Sequence, residues 1–145
     1  MIAAYYGKVE DDDEYNAVRC FYGDTTSTQA QLSALSKLGL KPAFKTSGRV
    51  EDLIEEIRQG RPVAVGWLHK GPSSSPSGGG HWSVITGYTY NSFIVNDPYG
   101  EANLAYGGYV NNTKGNGISY SFKNWCPRWE VEGAGTGWYL TCQGN

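Results

Sequence analysis

Two strand-like segments joined by a very short connection constrain the fold of this chain most. HWSVITGYTY spans residues 81–90 and SFIVNDPYG spans residues 92–100. Such segments, rich in β-branched and aromatic residues around a turn, predict two antiparallel strands. If paired residue numbers sum to about 180, Asp97 lies opposite Ser83 and on the same face of the sheet as His81. His81 and Asp97 are then diagonal neighbours, about 7–8 Å apart at the backbone, which is close enough for their side chains to meet. A slip of one residue would put them on opposite faces.

Helical periodicity appears in the segments that precede this hairpin. TQAQLSALSKL, residues 28–38, places three leucines on one face, and Thr28 and Gln31 fit a capping box. VEDLIEEIRQG, residues 50–60, repeats apolar residues at the same helical spacing and ends in glycine. Residues 1–7, MIAAYYG, are typical of the end of a helix. The apolar run PVAVGWL, residues 62–68, predicts a central strand.

Three other stretches have a different character. Residues 8–27 are polar and predict a loop, in which the acidic run Glu10–Glu14 is solvated; a calcium site is the less supported alternative. Residues 69–80 are rich in Gly, Ser and Pro and predict a mobile loop, either a functional lid or a plain surface loop. Residues 106–145 are rich in glycine and aromatic residues and predict further strands at 118–122 and 137–142.

The length indicates one domain covering residues 1–145, and its helical and strand-like segments place that domain in the α+β class. The net charge of −2 does not favour nucleic acid or an anionic membrane as a partner. No segment is apolar enough to span a bilayer and no signal peptide is visible, so the sequence leaves the localisation unknown.

The three cysteines, Cys20, Cys126 and Cys142, cannot all pair within one chain. Their spacing is not that of a zinc site. A disulfide between Cys126 and Cys142 and a set of reduced structural thiols are both open interpretations.

His81 and Asp97 have three possible interpretations. A histidine held by an aspartate is half of a nucleophilic triad, because the carboxylate fixes the imidazole tautomer and stabilises its cation. Alternatively, His81 is bonded to a backbone carbonyl and Asp97 begins a turn with Pro98, and spacing alone favours this structural interpretation. A metal site built from His69, His81 and Asp97 is the weakest of the three.

The order of elements and the amino-acid sequences of the motifs resemble those of the C39-like cysteine peptidases, which have a papain-like fold. The resemblance covers roughly residues 1–100 and rests on VEDLIEEIRQGRPVAVGW, GGHWSVITGY and FIVNDPYG. It implies helices packed on a twisted, mostly antiparallel sheet, with a groove between them. It also implies a Cys–His–Asp triad in which His81 is the base and Asp97 the orienting carboxylate, with Asn96 as a less favoured candidate. Neither a cofactor nor a metal is implied.

The sequence departs from this family at the nucleophile. Family members carry the catalytic cysteine at the start of the first helix, in a stretch like Cys-x-x-Thr-Ser-x-x-Met, and MIAAYYG resembles the end of that helix. The nucleophile is therefore expected to precede Met1, so that the chain is truncated at its N-terminus and inactive as written. Cys20 is a minor alternative nucleophile, and Ser83 lies beside the base rather than facing it. The expected substrate is a peptide or protein, such as a leader peptide or a peptidoglycan peptide. The competing hypothesis is a catalytically dead peptide-binding or structural module of a larger assembly.

Overall fold

The computed structural model describes residues 1–144. It has a six-stranded sheet and helices in an α+β arrangement, as predicted. In chain order the elements are α1 (Ile2–Tyr5), α2 (Asp12–Arg19), α3 (Thr28–Lys37), β1 (Lys41–Gly48), α4 (Val50–Arg58), β2 (Val63–Trp67), β3 (His81–Tyr88), β4 (Ser92–Asn96), β5 (Ile118–Ser121), α5 (Phe122–Trp129) and β6 (Gly137–Gln143). None of the helices between Met1 and Gly144 is both long and apolar enough to cross a membrane.

The sheet has the order β1-β6-β2-β3-β4-β5, and each neighbouring pair is antiparallel. Strands β3 and β4 pair Val84 with Asn96 and Ile85 with Val95, so their numbers sum to 180 as predicted. The register then shifts by one residue through a bulge between Ile85 and Gly87. Because the bulge lies toward the turn, it leaves the alignment at the His81 end of the hairpin unchanged.

Two hydrophobic clusters cover the two faces of the sheet. The larger one joins α4 and α5 to alternate residues of the central strands, including Val63, Val65 and Ile85. The smaller one joins α1 and α3 to the intervening residues, including Ala64 and Val84. Helices therefore pack on both faces of the sheet. Strand β2 contributes to both clusters, because Val63 and Val65 are buried on one face and the partly buried Ala64 packs on the other.

The prediction of a loop over residues 8–27 is wrong for Asp12–Arg19, which form α2. The side chain of Asp11 caps this helix by accepting a hydrogen bond of 2.9 Å from the Glu14 amide. Acidic side chains in the first turn and Arg19 in the last turn both complement the helix dipole. The acidic run thus stabilises a helix N-terminus, which replaces its interpretation as a solvated loop. Helix α3 begins where predicted, but its cap is Ser27 rather than Thr28.

Two further elements were not predicted. Strand β1 has largely exposed side chains and no apolar alternation, and its pairing with β6 defines it. The strand predicted over 118–122 ends at Ser121, whose side chain caps α5 through the Asn124 amide. Helix α5 contains Pro127, which obscures its signal in the sequence. The C-terminal region 106–145 is therefore not built from strands alone.

The segment predicted to be a mobile loop, residues 69–80, is fastened to the rest of the chain over much of its length. Lys70 and Ser77 exchange two backbone hydrogen bonds, of 3.1 and 2.8 Å. The Ser73 amide also donates to the Ala105 carbonyl oxygen at 3.0 Å. The structure therefore shows a closed turn held by its own backbone rather than a free lid.

Candidate active site

His81 and Asp97 are brought together by the register of the hairpin. His81 is the first residue of β3, and Asp97 directly follows β4. The Nε2 atom of His81 lies 2.8 Å from Oδ1 of Asp97. The two residues are only 6% and 3% exposed, so the contact is shielded from water. The diagonal contact predicted from the sequence is confirmed.

The carboxylate of Asp97 is held by further donors. Oδ1 also accepts a hydrogen bond of 3.0 Å from the Tyr99 amide, and Oδ2 accepts one of 2.8 Å from the Tyr120 hydroxyl. The Tyr109 hydroxyl lies 3.2 and 3.1 Å from the two oxygens. Burial raises the pKa of Asp97, but hydrogen bonds from His81, the Tyr99 amide and Tyr120 outweigh it and leave the pKa below its ordinary value. Asp97 is therefore ionised at neutral pH.

The three tyrosines around Asp97 were not predicted as site residues. A backbone amide two residues after an aspartate is a common local partner, so DPY gave a signal for Tyr99. Tyr109 and Tyr120 gave none, because they reach Asp97 from separate parts of the chain. Burial, followed by the charge of Asp97, raises the pKa of Tyr109 well above the ordinary value. Burial also raises that of Tyr120, so both phenols stay protonated as donors.

The hydrogen bond to Asp97 decides which nitrogen of His81 is free. In the neutral ring, Nε2–H donates to the carboxylate and Nδ1 carries the lone pair. Within residues 1–144, Nδ1 of His81 has no hydrogen-bond partner. This nitrogen is therefore available to accept a proton from a substrate or nucleophile.

Aromatic rings surround His81. Trp67 packs edge-on against it with ring centroids 5.4 Å apart, and Tyr99 lies over it at 4.7 Å. His69 stacks on it almost in parallel, at 4.8 Å and an interplanar angle of 5°. Because parallel stacked imidazoles do not aim their nitrogens at one point, the metal-site interpretation of His69, His81 and Asp97 finds no support. In the described part of the chain, no group of three or more His, Cys, Asp or Glu side chains is arranged to hold a metal ion.

Two nearby polar candidates have structural partners. The hydroxyl of Ser83 accepts a hydrogen bond of 2.8 Å from the Trp67 indole, and both groups are buried. The side-chain oxygen of Asn96 accepts one of 2.8 Å from the Gly117 amide. Ser83 therefore holds the Trp67 indole in place. The side chain of Asn96 holds the loop at Gly117 and makes no hydrogen bond to His81 or Asp97.

The three cysteines are all unpaired, so the disulfide interpretation of Cys126 and Cys142 is not realised in the structure. Burial, followed by the nearby Glu130, raises the pKa of Cys126 to about 12. Burial raises the pKa of Cys142 to about 11. Cys20 is exposed at the end of α2, with its sulfur 3.4 Å from the Ala17 carbonyl oxygen.

A cavity of about 580 Å³ opens over His81. Its walls include Trp67, Trp82 and Trp138. The glycines Gly78–Gly80 form one border, so the end of the Gly/Ser/Pro segment does lie beside the site. No cysteine belongs to this lining within the described residues. The cavity is thus a cleft with a histidine, aromatic walls and one border of glycines.

Two solved structures share this fold. The peptidase domain of Streptococcus ComA, described as a bi-functional ABC transporter involved in a quorum sensing pathway, aligns with a TM-score of 0.62 and 16% identity. That alignment covers 99% of this chain and 85% of that chain. A Bacillus anthracis protein described as a C39-like peptidase aligns with a TM-score of 0.52 and 14% identity. It covers 78% of this chain and 56% of that chain. No curated protein sequence matches the chain.

The sequence itself carries the family assignment. Residues 2–125 match the Peptidase_C39 like family, and this range contains both β3 and β4 with His81 and Asp97. The resemblance seen in the motifs is thereby confirmed over most of the chain. The chain belongs to the Peptidase_C39 like family.

Proposed function

We propose that this domain carries the base and the orienting carboxylate of a cysteine peptidase, with His81 and Asp97 in these roles. The observation that carries the proposal is the buried bond of 2.8 Å between His81 Nε2 and Asp97 Oδ1, which leaves Nδ1 as the proton acceptor. Membership of the Peptidase_C39 like family supports the same chemistry.

The proposed reaction is hydrolysis of a peptide bond in two stages. Nδ1 of His81 accepts the proton of a cysteine thiol, and the thiolate attacks the carbonyl carbon of the substrate. The imidazolium then returns this proton to the departing amine, which leaves an acyl-enzyme. Water attacks the acyl-enzyme with His81 again as base, releasing the acid and the thiol. Asp97 remains ionised throughout and stabilises the imidazolium.

We assign the nucleophile to a cysteine outside residues 1–145. Cys126 and Cys142 are unsuited to the role, because their raised pKa values keep them protonated at neutral pH. None of the three cysteines borders the cleft that contains His81. We therefore expect the 145-residue chain by itself to lack peptidase activity.

The lining of the cleft supports a peptide substrate with apolar side chains. Trp82 and Trp138 offer aromatic surface, and Gly78–Gly80 leave room for an extended backbone. The charged groups among its described lining are few, and the guanidinium of Arg128 is already bound to backbone carbonyls. The proposed substrate is a peptide or protein, such as a leader peptide or a peptidoglycan peptide.

A second candidate is a peptide-binding module without catalysis. It is favoured by one observation, the absence of any cysteine from the cleft lining among residues 1–144. In this case His81 and Asp97 would shape a binding groove rather than a reaction centre.

The test is to express the complete open reading frame that encodes this chain and to assay cleavage of a peptide library by mass spectrometry. We expect the complete product to cleave, residues 1–145 alone not to cleave, and His81→Gln in the complete product to lower the rate by about 100-fold or more. A complete product that binds peptides without cleaving them would contradict the peptidase proposal and favour the binding module. Cleavage that survives in His81→Gln would contradict the assigned base.

A further inference from the structure

His69 presents a flat ring to His81, and its side chain makes no hydrogen bond to the described residues. The two rings are parallel within 5°, and their centroids lie 4.8 Å apart. Nδ1 of His69 is buried without a hydrogen-bond partner among the described residues. A buried imidazole nitrogen without a partner is costly, so the packing of the ring must offset this cost. The ring contacts of His69 are with His81, Trp67, Tyr99 and Tyr109.

The backbone around His69 is fixed by Arg128 of α5. This side chain is fully buried, and its Nη1 donates to the carbonyls of Leu68 and Lys70 at 3.2 and 3.1 Å. These two residues flank His69 directly. The carbonyl of His69 itself accepts a hydrogen bond of 2.8 Å from the Gly108 amide. Hydrogen bonds to three successive carbonyls, those of residues 68–70, therefore fix the backbone that carries the ring.

The charges near His69 favour its neutral form. Burial lowers the pKa of His69, and the charges of His81, Lys70 and Arg128 lower it further. Asp97 acts in the opposite direction, but its carboxylate is bonded to His81. Two cationic imidazoles stacked face to face would repel each other with only this one carboxylate beside them. Of the two stacked imidazoles, His81 is the one that is hydrogen-bonded to the carboxylate.

We propose that His69 is a positioning residue, whose ring holds the ring of His81 in the plane that its bond to Asp97 requires. The inference rests on the proposed function, because a positioned His81 is useful as a base. Without the stack, the ring of His81 would keep its contacts with Trp67, Tyr99 and Tyr109 but lose the ring that lies parallel to it. We expect it then to turn away from Asp97 more readily.

The experiment compares His69→Phe with His69→Ala in the complete gene product by proton–nitrogen NMR of the imidazoles. Because His69 makes no side-chain hydrogen bond, a phenyl ring keeps the stacking surface and loses no polar partner. We expect His69→Phe to retain a single Nε2–H tautomer for His81 and His69→Ala to lose it. Ser74→Ala, an exposed truncation in the same segment, is the matched control and leaves the signal unchanged.

Cleavage by the complete product gives a second readout. We expect His69→Ala to lower kcat by about 100-fold with little change in KM, since a small misplacement of a catalytic group has this effect. His69→Phe should restore most of the rate. An unchanged His81 tautomer in His69→Ala would overturn the inference, as would an unchanged kcat in that variant.

Asp97→Asn separates failure of this inference from failure of the proposed function. If Asp97→Asn changes the His81 tautomer and His69→Ala does not, the positioning role of His69 is wrong while the His81–Asp97 pair stands. If neither variant changes it, the pair itself is wrong. The NMR readout does not depend on catalysis, so it distinguishes the two cases even in an inactive chain.

Discussion

The hydroxyl of Tyr120 donates a hydrogen bond of 2.8 Å to Oδ2 of Asp97, while His81 occupies Oδ1 of the same carboxylate. Tyr120 lies on β5, opposite Phe93 of β4, and is 1% exposed. A tyrosine from the edge strand of the sheet therefore orients the carboxylate that is hydrogen-bonded to His81. The site is supported by strand pairing well beyond the hairpin that carries His81 and Asp97.

Tyr120→Phe should destabilise the fold by about 1–3 kcal/mol, the usual cost of leaving a buried polar group unpaired. The lost hydroxyl also accepts a hydrogen bond of 3.0 Å from the Ala102 amide and lies 3.3 Å from the Gly100 carbonyl oxygen, so three partners are left without it. Urea unfolding measures the change. Tyr109→Phe is the comparison, and it should cost less because Tyr109 is only half-buried and its hydroxyl contacts only Asp97. Equal effects, or none in Tyr120→Phe, would contradict this account of the carboxylate.

Stability should fall in two separate steps as the pH decreases. The pKa of His69 is lowered in the folded state, so below 6.5 the unfolded chain takes up a proton that the folded chain resists. The pKa of Asp97 is also lowered, so below 3.8 the unfolded carboxyl is protonated first and a second loss begins. Both groups therefore contribute stability that is present at high pH and lost on acidification.

The measurement is the free energy of unfolding in urea above pH 6.5, between 6.5 and 3.8, and below 3.8. We expect His69→Phe to remove the contribution of His69 to the first step and Asp97→Asn to remove that of Asp97 to the second. A first step that is as large in His69→Phe as in the wild type would contradict the environment assigned to His69.

Arg128→Met should destabilise the fold by about 3 kcal/mol or more, because it leaves several buried carbonyl oxygens without donors. The guanidinium bonds four carbonyls, those of Leu68, Lys70, Gly71 and Leu104. Arg128→Lys keeps the charge but not the planar fork of donors, and we expect it to recover only a small part of the loss. Thermal unfolding measures the stability of the two variants relative to the wild type. A change below about 1 kcal/mol in Arg128→Met would show that these carbonyls find other partners.

The thiols should differ sharply in reactivity. Cys20 is exposed, whereas burial raises the pKa of Cys126 to about 12 and that of Cys142 to about 11. We expect one thiol per chain to react quickly with an alkylating reagent at neutral pH and three to react after unfolding. Peptide mapping identifies the site. Rapid modification of Cys142 in the folded chain would contradict its burial on β6.

Local sequence patterns explain which parts of the fold could be predicted. The β3–β4 register follows from a short turn between two segments of strand character, and it alone placed Asp97 diagonal to His81. The helices at 28–37 and 50–58 carry leucine and isoleucine at helical spacing. By contrast, α2 has no buried residue, and its stability comes from capping and charge. Helix α5 contains a proline, so its sequence did not indicate a helix.

The support of the site could not be predicted, because it depends on pairing between distant segments. Tyr120 meets Asp97 only after β5 pairs with β4, and no spacing in the sequence encodes that contact. Arg128 binds backbone carbonyls, which have no sequence signature at all. The stack of His69 on His81 arises because β2 pairs with β3, so that Trp67 lies opposite His81 and His69 follows two residues later.

The most direct test of the central claim is the tautomer of His81, read by proton–nitrogen NMR near neutral pH in the wild type and in Asp97→Asn. We predict the Nε2–H tautomer in the wild type, with a deshielded proton shared with the carboxylate, and loss of that signal in Asp97→Asn. An Nδ1–H tautomer in the wild type, or a spectrum that Asp97→Asn leaves unchanged, would contradict the assignment of His81 and Asp97 as a base and its orienting acid.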